Sequence, residues 1–112
     1  MEVKPKFEIS YTEEVIEFLN SLDTKIRDKI IYNVDKSRYV IDKDLFKKLD
    51  NTDIWEFRTR YQNMSYRLFA FWDTSSCSIV IATHGFIKKT QKTPKKEIAR
   101  AEEIRKQYFD TK

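Results

Sequence analysis

The spacing of apolar residues changes three times along the chain, from extended to helical, back to extended, and to helical again at the end. From Val3 to Ile9, Val3, Phe7 and Ile9 fall on one side of an extended segment. Pro5 cannot donate to a ladder, so this segment is predicted as an edge strand. Ser10-Tyr11-Thr12-Glu13 has capping-box spacing. Behind it Val15, Phe18, Leu19 and Leu22 recur at helical spacing. Asp23 or Thr24 caps a second helix with an apolar stripe of Ile26, Ile30, Val34 and Ile31. So short a connection predicts an antiparallel helical hairpin. Asp42 to Leu49 reads as a transition with one helical turn, anchored by Leu45, Phe46 and Leu49.

From Ile54 the period becomes two. Trp55, Phe57 and Tyr61 share one face of a strand, and Glu56, Arg58 and Arg60 share the other. Gln62-Asn63-Met64 is predicted as a hairpin loop, Tyr66 to Trp72 as the next strand, and Asp73 to Ser76 as a turn. Cys77 to Phe86 is nearly all apolar and reads as a central strand. Short loops between successive strands predict an antiparallel meander. Thr93-Pro94 sets proline at the start of a last helix running to about Phe109, with Ile98, Ala101, Ile104, Arg105 and Tyr108 at helical spacing. The fold class is α+β: an edge strand and a helical hairpin packed on an antiparallel meander, then a C-terminal helix.

Composition narrows this further. Residues 1–112 make a single domain, with 40% apolar and 14% aromatic residues, enough for a real core. No apolar run approaches membrane-spanning length and the N-terminal residues lead into no leader segment, so the expected location is the cytoplasm. The one cysteine, Cys77, reads as a small strand filler, and nothing near it suggests a metal cluster. No cofactor or metal is expected.

Charge is uneven. Residues 43–112 hold fifteen cations and nine anions, whereas residues 1–42 hold seven and nine. The densest stretch is Lys88 to Arg100, where Lys88, Lys89, Lys92, Lys95, Lys96 and Arg100 face the one anion Glu97. A polyanion suits such a concentration, because each neutralised phosphate releases counterions; a solvated lysine-rich loop is the alternative. Arg58 and Arg60 lie on one strand face, and the hairpin brings Arg67 across from them. Arginine forks grip phosphate oxygens and stay charged. Arg67 is flanked by apolar residues and needs a partner, either a buried carboxylate or a phosphate. Glu56 pairs with Arg58 and Arg60 or leaves them available. Tyr61, Tyr66, Phe69, Phe71 and Trp72 offer faces for base stacking, with core packing the stronger reading for Phe69, Phe71 and Trp72. The one histidine, His84, is either a proton-transfer group or a structural residue. Gly85 serves a positive φ or a close approach.

Leu45-Phe46-Lys47-Lys48-Leu49, Trp55-Glu56-Phe57-Arg58, Tyr66-Arg67-Leu68 and His84-Gly85-Phe86-Ile87-Lys88-Lys89-Thr90-Gln91-Lys92-Thr93-Pro94, with Ile98 and Ala101, together resemble the RelE/ParE toxin superfamily, within it the HigB-type, phage-derived branch. The motifs span about residues 45–109. The resemblance implies a microbial RNase-like fold and a type II toxin that cleaves messenger RNA on the ribosome by attack of a ribose 2′-hydroxyl on the adjacent phosphate, without a metal. It implies Arg67, His84, Lys88 and Lys89 as catalytic residues, and Arg58, Arg60, Lys92, Lys95 and Lys96 as RNA-binding residues. It also implies a small antitoxin, of helix-turn-helix type, as partner. Glu56 stands where RelE proper has a lysine, and no tyrosine precedes Tyr108 after the basic turn. The superfamily also contains two other readings: a ParE-like, non-enzymatic gyrase inhibitor, and an inactive domain that binds RNA or an antitoxin.

Overall fold

The computed structural model describes residues 3–75 and 78–112; the predicted places of Ser76 in a turn and of Cys77 in a strand fall outside them. The elements are β1 (Glu8–Tyr11), α1 (Glu13–Asn20), α2 (Thr24–Ser37), β2 (Phe46–Lys48), β3 (Trp55–Tyr61), β4 (Met64–Asp73), β5 (Ile79–Lys88) and α3 (Lys95–Asp110). The strands form one sheet in the order β1-β5-β4-β3-β2. All neighbours are antiparallel except β1 and β5, which run parallel. The α+β class and the meander β3 to β5 agree with the sequence, β2 adds a strand to that meander, and the parallel edge makes the sheet mixed.

Several boundaries move for physical reasons. β1 starts at Glu8, past Pro5, where Glu8 N can donate to Ser78 O at 2.9 Å. Thr12, not Ser10, caps α1: its side chain accepts from Val15 N at 3.2 Å. The predicted helical turn before Leu49 is instead a turn followed by the short strand β2, paired with β3. The predicted loop shortens to two residues: Gln62 (φ 49°) and Asn63 (φ 64°) both take the left-handed conformation of a tight hairpin.

Helices cover both faces of the sheet. The α1–α2 hairpin buries Val15, Leu19, Ile30 and Val34 against Phe57, Tyr66, Leu68, Ala70, Val80 and Ala82. Each such aliphatic side chain contributes about 1.5–3 kcal/mol by leaving water. On the opposite face α3 lays Ile98, Ala101 and Tyr108 over Phe69, Phe71 and Ile81. β4 is the middle strand and is buried on both faces from Tyr66 to Phe71, while β5 lies beside it. Phe69 and Phe71 are core residues, and Trp72 packs edge-on against Phe7 at 5.2 Å and Trp55 at 5.7 Å.

A β-bulge in β5 decides which face the end of that strand presents. Phe69 pairs with His84 but Ala70 pairs with Ala82, so Thr83 is the extra residue. Val80 and Ala82 face the helical hairpin. Without the bulge, alternation would send His84, Phe86 and Lys88 to that same face. The bulge turns them to the α3 face instead. Thr83 is held there by bonds from its Oγ1 to Phe69 O (3.2 Å) and from Thr12 Oγ1 to Thr83 O (2.9 Å).

Candidate nucleic-acid interface

The β3–β4 register sets Arg58 directly opposite Arg67 and Arg60 opposite Ser65. The β4–β5 register sets Ser65 opposite Lys88. Alternation and the bulge thus bring Arg58, Arg60, Arg67 and Lys88 to one face, beyond the part packed on α3. Like charges directly opposed destabilise a sheet, and one carboxylate answers them. Glu56, only 2% exposed, lies with Oε1 3.5 Å from Arg58 Nε and Oε2 3.3 Å from Arg67 Nε. The partner that Arg67 requires within the protein is therefore a buried carboxylate. Among the described residues, neither Arg67 Nε nor Glu56 Oε2 makes a hydrogen bond, so charge rather than bond geometry joins them.

Glu56 does not neutralise the cluster: a single carboxylate lies among three guanidiniums and the ammonium of Lys88. Burial pushes the Arg67 pKa down and Glu56 opposes this, and the guanidinium remains charged at neutral pH. Arg67 Nη1 also donates to Tyr66 O at 3.3 Å. Lys88 is half-buried. Burial pushes its ammonium pKa down, Arg67 and Arg58 push the same way, and Glu56 opposes them.

Past the end of β2 the edge of β3 is open, and Arg58 N donates to Leu45 O at 2.8 Å as the last edge contact. A cleft of about 520 Å³ opens there. The strand wall holds Arg58, Thr59, Arg60, Ser65 and Arg67, and the α2 wall, which belongs to the other face of the sheet, holds Lys29, Tyr32, Asn33 and Lys36, near Asp44 and Leu45. The cleft is thus lined from both faces at the open β3 edge. Asn33 is buried and ties the walls together, its Nδ2 donating to Thr59 Oγ1 at 3.1 Å.

Other sequence candidates lie elsewhere. His84 does not line the cleft. It is 2% exposed and packs against the rings of Phe69 and Phe86, which also touch each other, under α3. Its Nδ1 lies 3.1 Å from Thr83 Oγ1 and its Nε2 3.5 Å from Glu97 Oε1. Burial pushes its pKa below the ordinary value; Glu97 and Glu14 oppose this and Arg100 adds to it. Lys89 and Lys92 are exposed on the loop after β5, and Lys95 is exposed at the start of α3. Lys96 lines a separate hollow with Glu14, Glu97, Arg100 and Glu103. Tyr66 is buried, and Tyr61 is packed against the core. Among the described residues, no group of three or more His, Cys, Asp or Glu converges as metal ligands. No helix among them is long and apolar enough to cross a membrane.

The apolar stripe that marks α2 in the sequence does not single out Lys29, Tyr32 and Lys36. The spacing Lys29, Tyr32, Asn33, Lys36 does place them on one helix face. Only the β3 edge shows what that face looks onto.

The family model of "Phage derived protein Gp49-like" matches residues 17–106. The chain belongs to the Gp49-like family. No curated protein matches it. Among solved structures, this Gp49-like chain is similar to the E. coli toxin RelE, in an arginine-to-alanine double mutant in the free state. The TM-score is 0.64 at 14% identity, over 88% of this chain and 96% of that one. It is also similar to a chain of the intact E. coli RelBE toxin–antitoxin complex, with TM-score 0.51 at 16% identity, over 77% and 99%. Family and fold together bear out the RelE/ParE superfamily resemblance of the sequence motifs.

Proposed function

We propose that this Gp49-like chain is a RelE-like toxin of a toxin–antitoxin system that cleaves messenger RNA on the ribosome. The observation that carries this reading is the opposition of Arg58 and Arg67 on paired strands, with Lys88 beside them and a single carboxylate between. Such a group suits a phosphodiester that gains negative charge in its transition state.

In this reading the ribose 2′-oxygen forms a bond to the adjacent phosphorus as the bond from phosphorus to the 5′-oxygen breaks. The products are a 2′,3′-cyclic phosphate and a 5′-hydroxyl. Arg67 and Arg58 hold the phosphate oxygens, and Arg60 at the rim guides the strand. The 2′-hydroxyl proton leaves to a base, and the 5′-oxygen takes one up. Lys88 is the group best suited to one of these transfers, because its pKa is lowered where it adjoins Arg67. His84, buried against Phe69 and Phe86, acts here as a structural residue that seats α3. Lys89, Lys92 and Lys95 supply field along the approach. An antitoxin partner is in keeping with the likeness to the RelBE complex.

The test is induction of the chain alone in bacteria, with mapping of RNA ends. Cleavage within translated messages is expected, and intact transcripts during growth arrest would overturn the reading. Arg67→Ala should reduce cleavage by about 100-fold or more, the loss typical of one oxyanion-type donor. A folded Arg67→Ala protein that still cleaves would remove Arg67 from the mechanism.

A further inference from the structure

The α2 wall of the cleft carries chemistry that phosphate transfer does not use. Lys29, Tyr32 and Lys36 are all exposed, and Tyr32 is 61% exposed. The aromatics on the strands, by contrast, are spent on the core. Lys29 Nζ lies 5.6 Å from the centre of the Tyr32 ring, within cation–π reach, so the ring and the ammonium hold each other on the lip. Lys29 and Lys36 stand seven residues apart, about 10 Å along the helix axis, so they serve different phosphates. The Asn33–Thr59 bond fixes α2 against β3, so this helix face borders the same cleft that Arg58 and Arg60 line from the other side of the open β3 edge. Among the described residues five cations and one carboxylate, Asp44, line the cleft, and Glu56 lies buried behind Arg58 and Arg67.

We propose that the Lys29–Tyr32–Lys36 face is a binding track for single-stranded RNA next to the cleaved link, with the lysines on successive phosphates and an unpaired base stacked on Tyr32. This rests on the nuclease reading above and adds the element that grips the flanking strand. Charge favours a polyanion, and the exposed ring adjoining the cations favours one that carries aromatic bases over an acidic protein segment.

The experiment uses the full chain and a single-stranded RNA oligonucleotide 2′-O-methylated against cleavage, with binding followed by fluorescence anisotropy across a salt series. Lys29→Ala/Lys36→Ala should weaken binding about tenfold or more at low salt. It should also flatten the slope of log K against log salt by about 1.4, since each phosphate left without its lysine removes about 0.7. Tyr32→Ala should weaken binding by about fivefold to 100-fold with the slope unchanged, and Tyr32→Phe should restore it. All three positions are exposed, so the variants should keep the parent's thermal midpoint. Unchanged affinity and slope in the variants, or no binding by the parent chain at low salt, would overturn the track. Equal displacement of the RNA by polyglutamate would assign the wall to an acidic protein segment and overturn it too. Cleavage on programmed ribosomes separates the two claims. A parent chain that cleaves while its variants cleave and bind equally well keeps the nuclease and loses the track. A parent chain that never cleaves, with variants that lose RNA affinity, loses the nuclease and keeps the track.

Discussion

A Cβ placed on Gly85 would lie 2.3 Å from Phe18 Cδ2 and 2.7 Å from Leu68 Cδ2. Of the two roles open to this residue in the sequence, close approach is the one it fills, since no glycine takes a positive φ. Gly85→Ala should cost about 1–3 kcal/mol, the usual range for overpacking, seen as a lower urea midpoint. Trimming the ring in Phe18→Ala/Gly85→Ala should cost less than the two single changes added together, because the closest clash is with that ring and only the one with Leu68 remains. A different single-residue argument applies to Lys88. Arginine keeps the positive charge but holds its proton at any working pH. In the proposed nuclease, Lys88→Arg should bind RNA within about twofold of the parent and yet cleave about 100-fold to 10,000-fold more slowly, the range for losing one proton-transfer group. Equal cleavage by the two proteins would reduce Lys88 to a charge.

Among the elements, α3 shows how local chemistry at one end decides docking. At its C-terminal end Tyr108 OH donates to Asp73 Oδ2 at 2.6 Å, and Lys112 and Ser75 also bond that carboxylate. At its N-terminal end lies His84, neutral against Glu97, with Glu14 of α1 and Arg100 also facing it. The folded pKa of His84 is depressed, so the unfolded chain takes up a proton first as pH falls. The neutral ring's contribution to stability is therefore complete above the unfolded value of about 6.5 and is lost as pH falls through the folded value. Thermal midpoints measured from pH 7.5 to 5.5 should fall for the parent and fall less for His84→Gln; parallel curves would show that His84 does not titrate on unfolding. The same elements show what sequence could carry. β3 was legible because one face is polar and the other apolar, so its phase is written in Trp55 to Tyr61. β4 and β5 are buried on both faces over much of their length, and two-sided burial erases the alternation that marks a face. The bulge at Thr83 has no composition signal, yet it decides that Lys88 joins the arginines and that His84 lies under α3. β2 is three residues long, too short for a period to show. The lysines of α2 were visible at helical spacing, but a helix face gives no hint of what it looks onto.

For the molecule as a whole, the cleft is a place where electrostatic strain is held by a stable scaffold. The hydrophobic layers on both sides of the sheet fix β3 and β4, and their register forces Arg58 and Arg67 together. Glu56 makes that juxtaposition tolerable from beneath. Its removal would leave Arg67, 6% exposed, without a counter-charge. Breaking a buried pair in this way typically costs about 3–5 kcal/mol. Glu56→Ala should therefore lower stability by an amount in that range, measured by chemical unfolding at low salt. Arg60→Ala, at an exposed rim position, should change stability by less than about 0.5 kcal/mol. If the cluster is built to receive a phosphate, an anion should stand in for the lost carboxylate. Added inorganic phosphate should then raise the thermal midpoint of Glu56→Ala by more than that of the parent, because a ligand stabilises the state that binds it. The control is chloride at matched ionic strength, which screens the arginines without bridging them. Recovery by phosphate and not by chloride would tie the buried carboxylate–guanidinium cluster to phosphate recognition. Equal recovery by both salts would show that Glu56 relieves repulsion and nothing more.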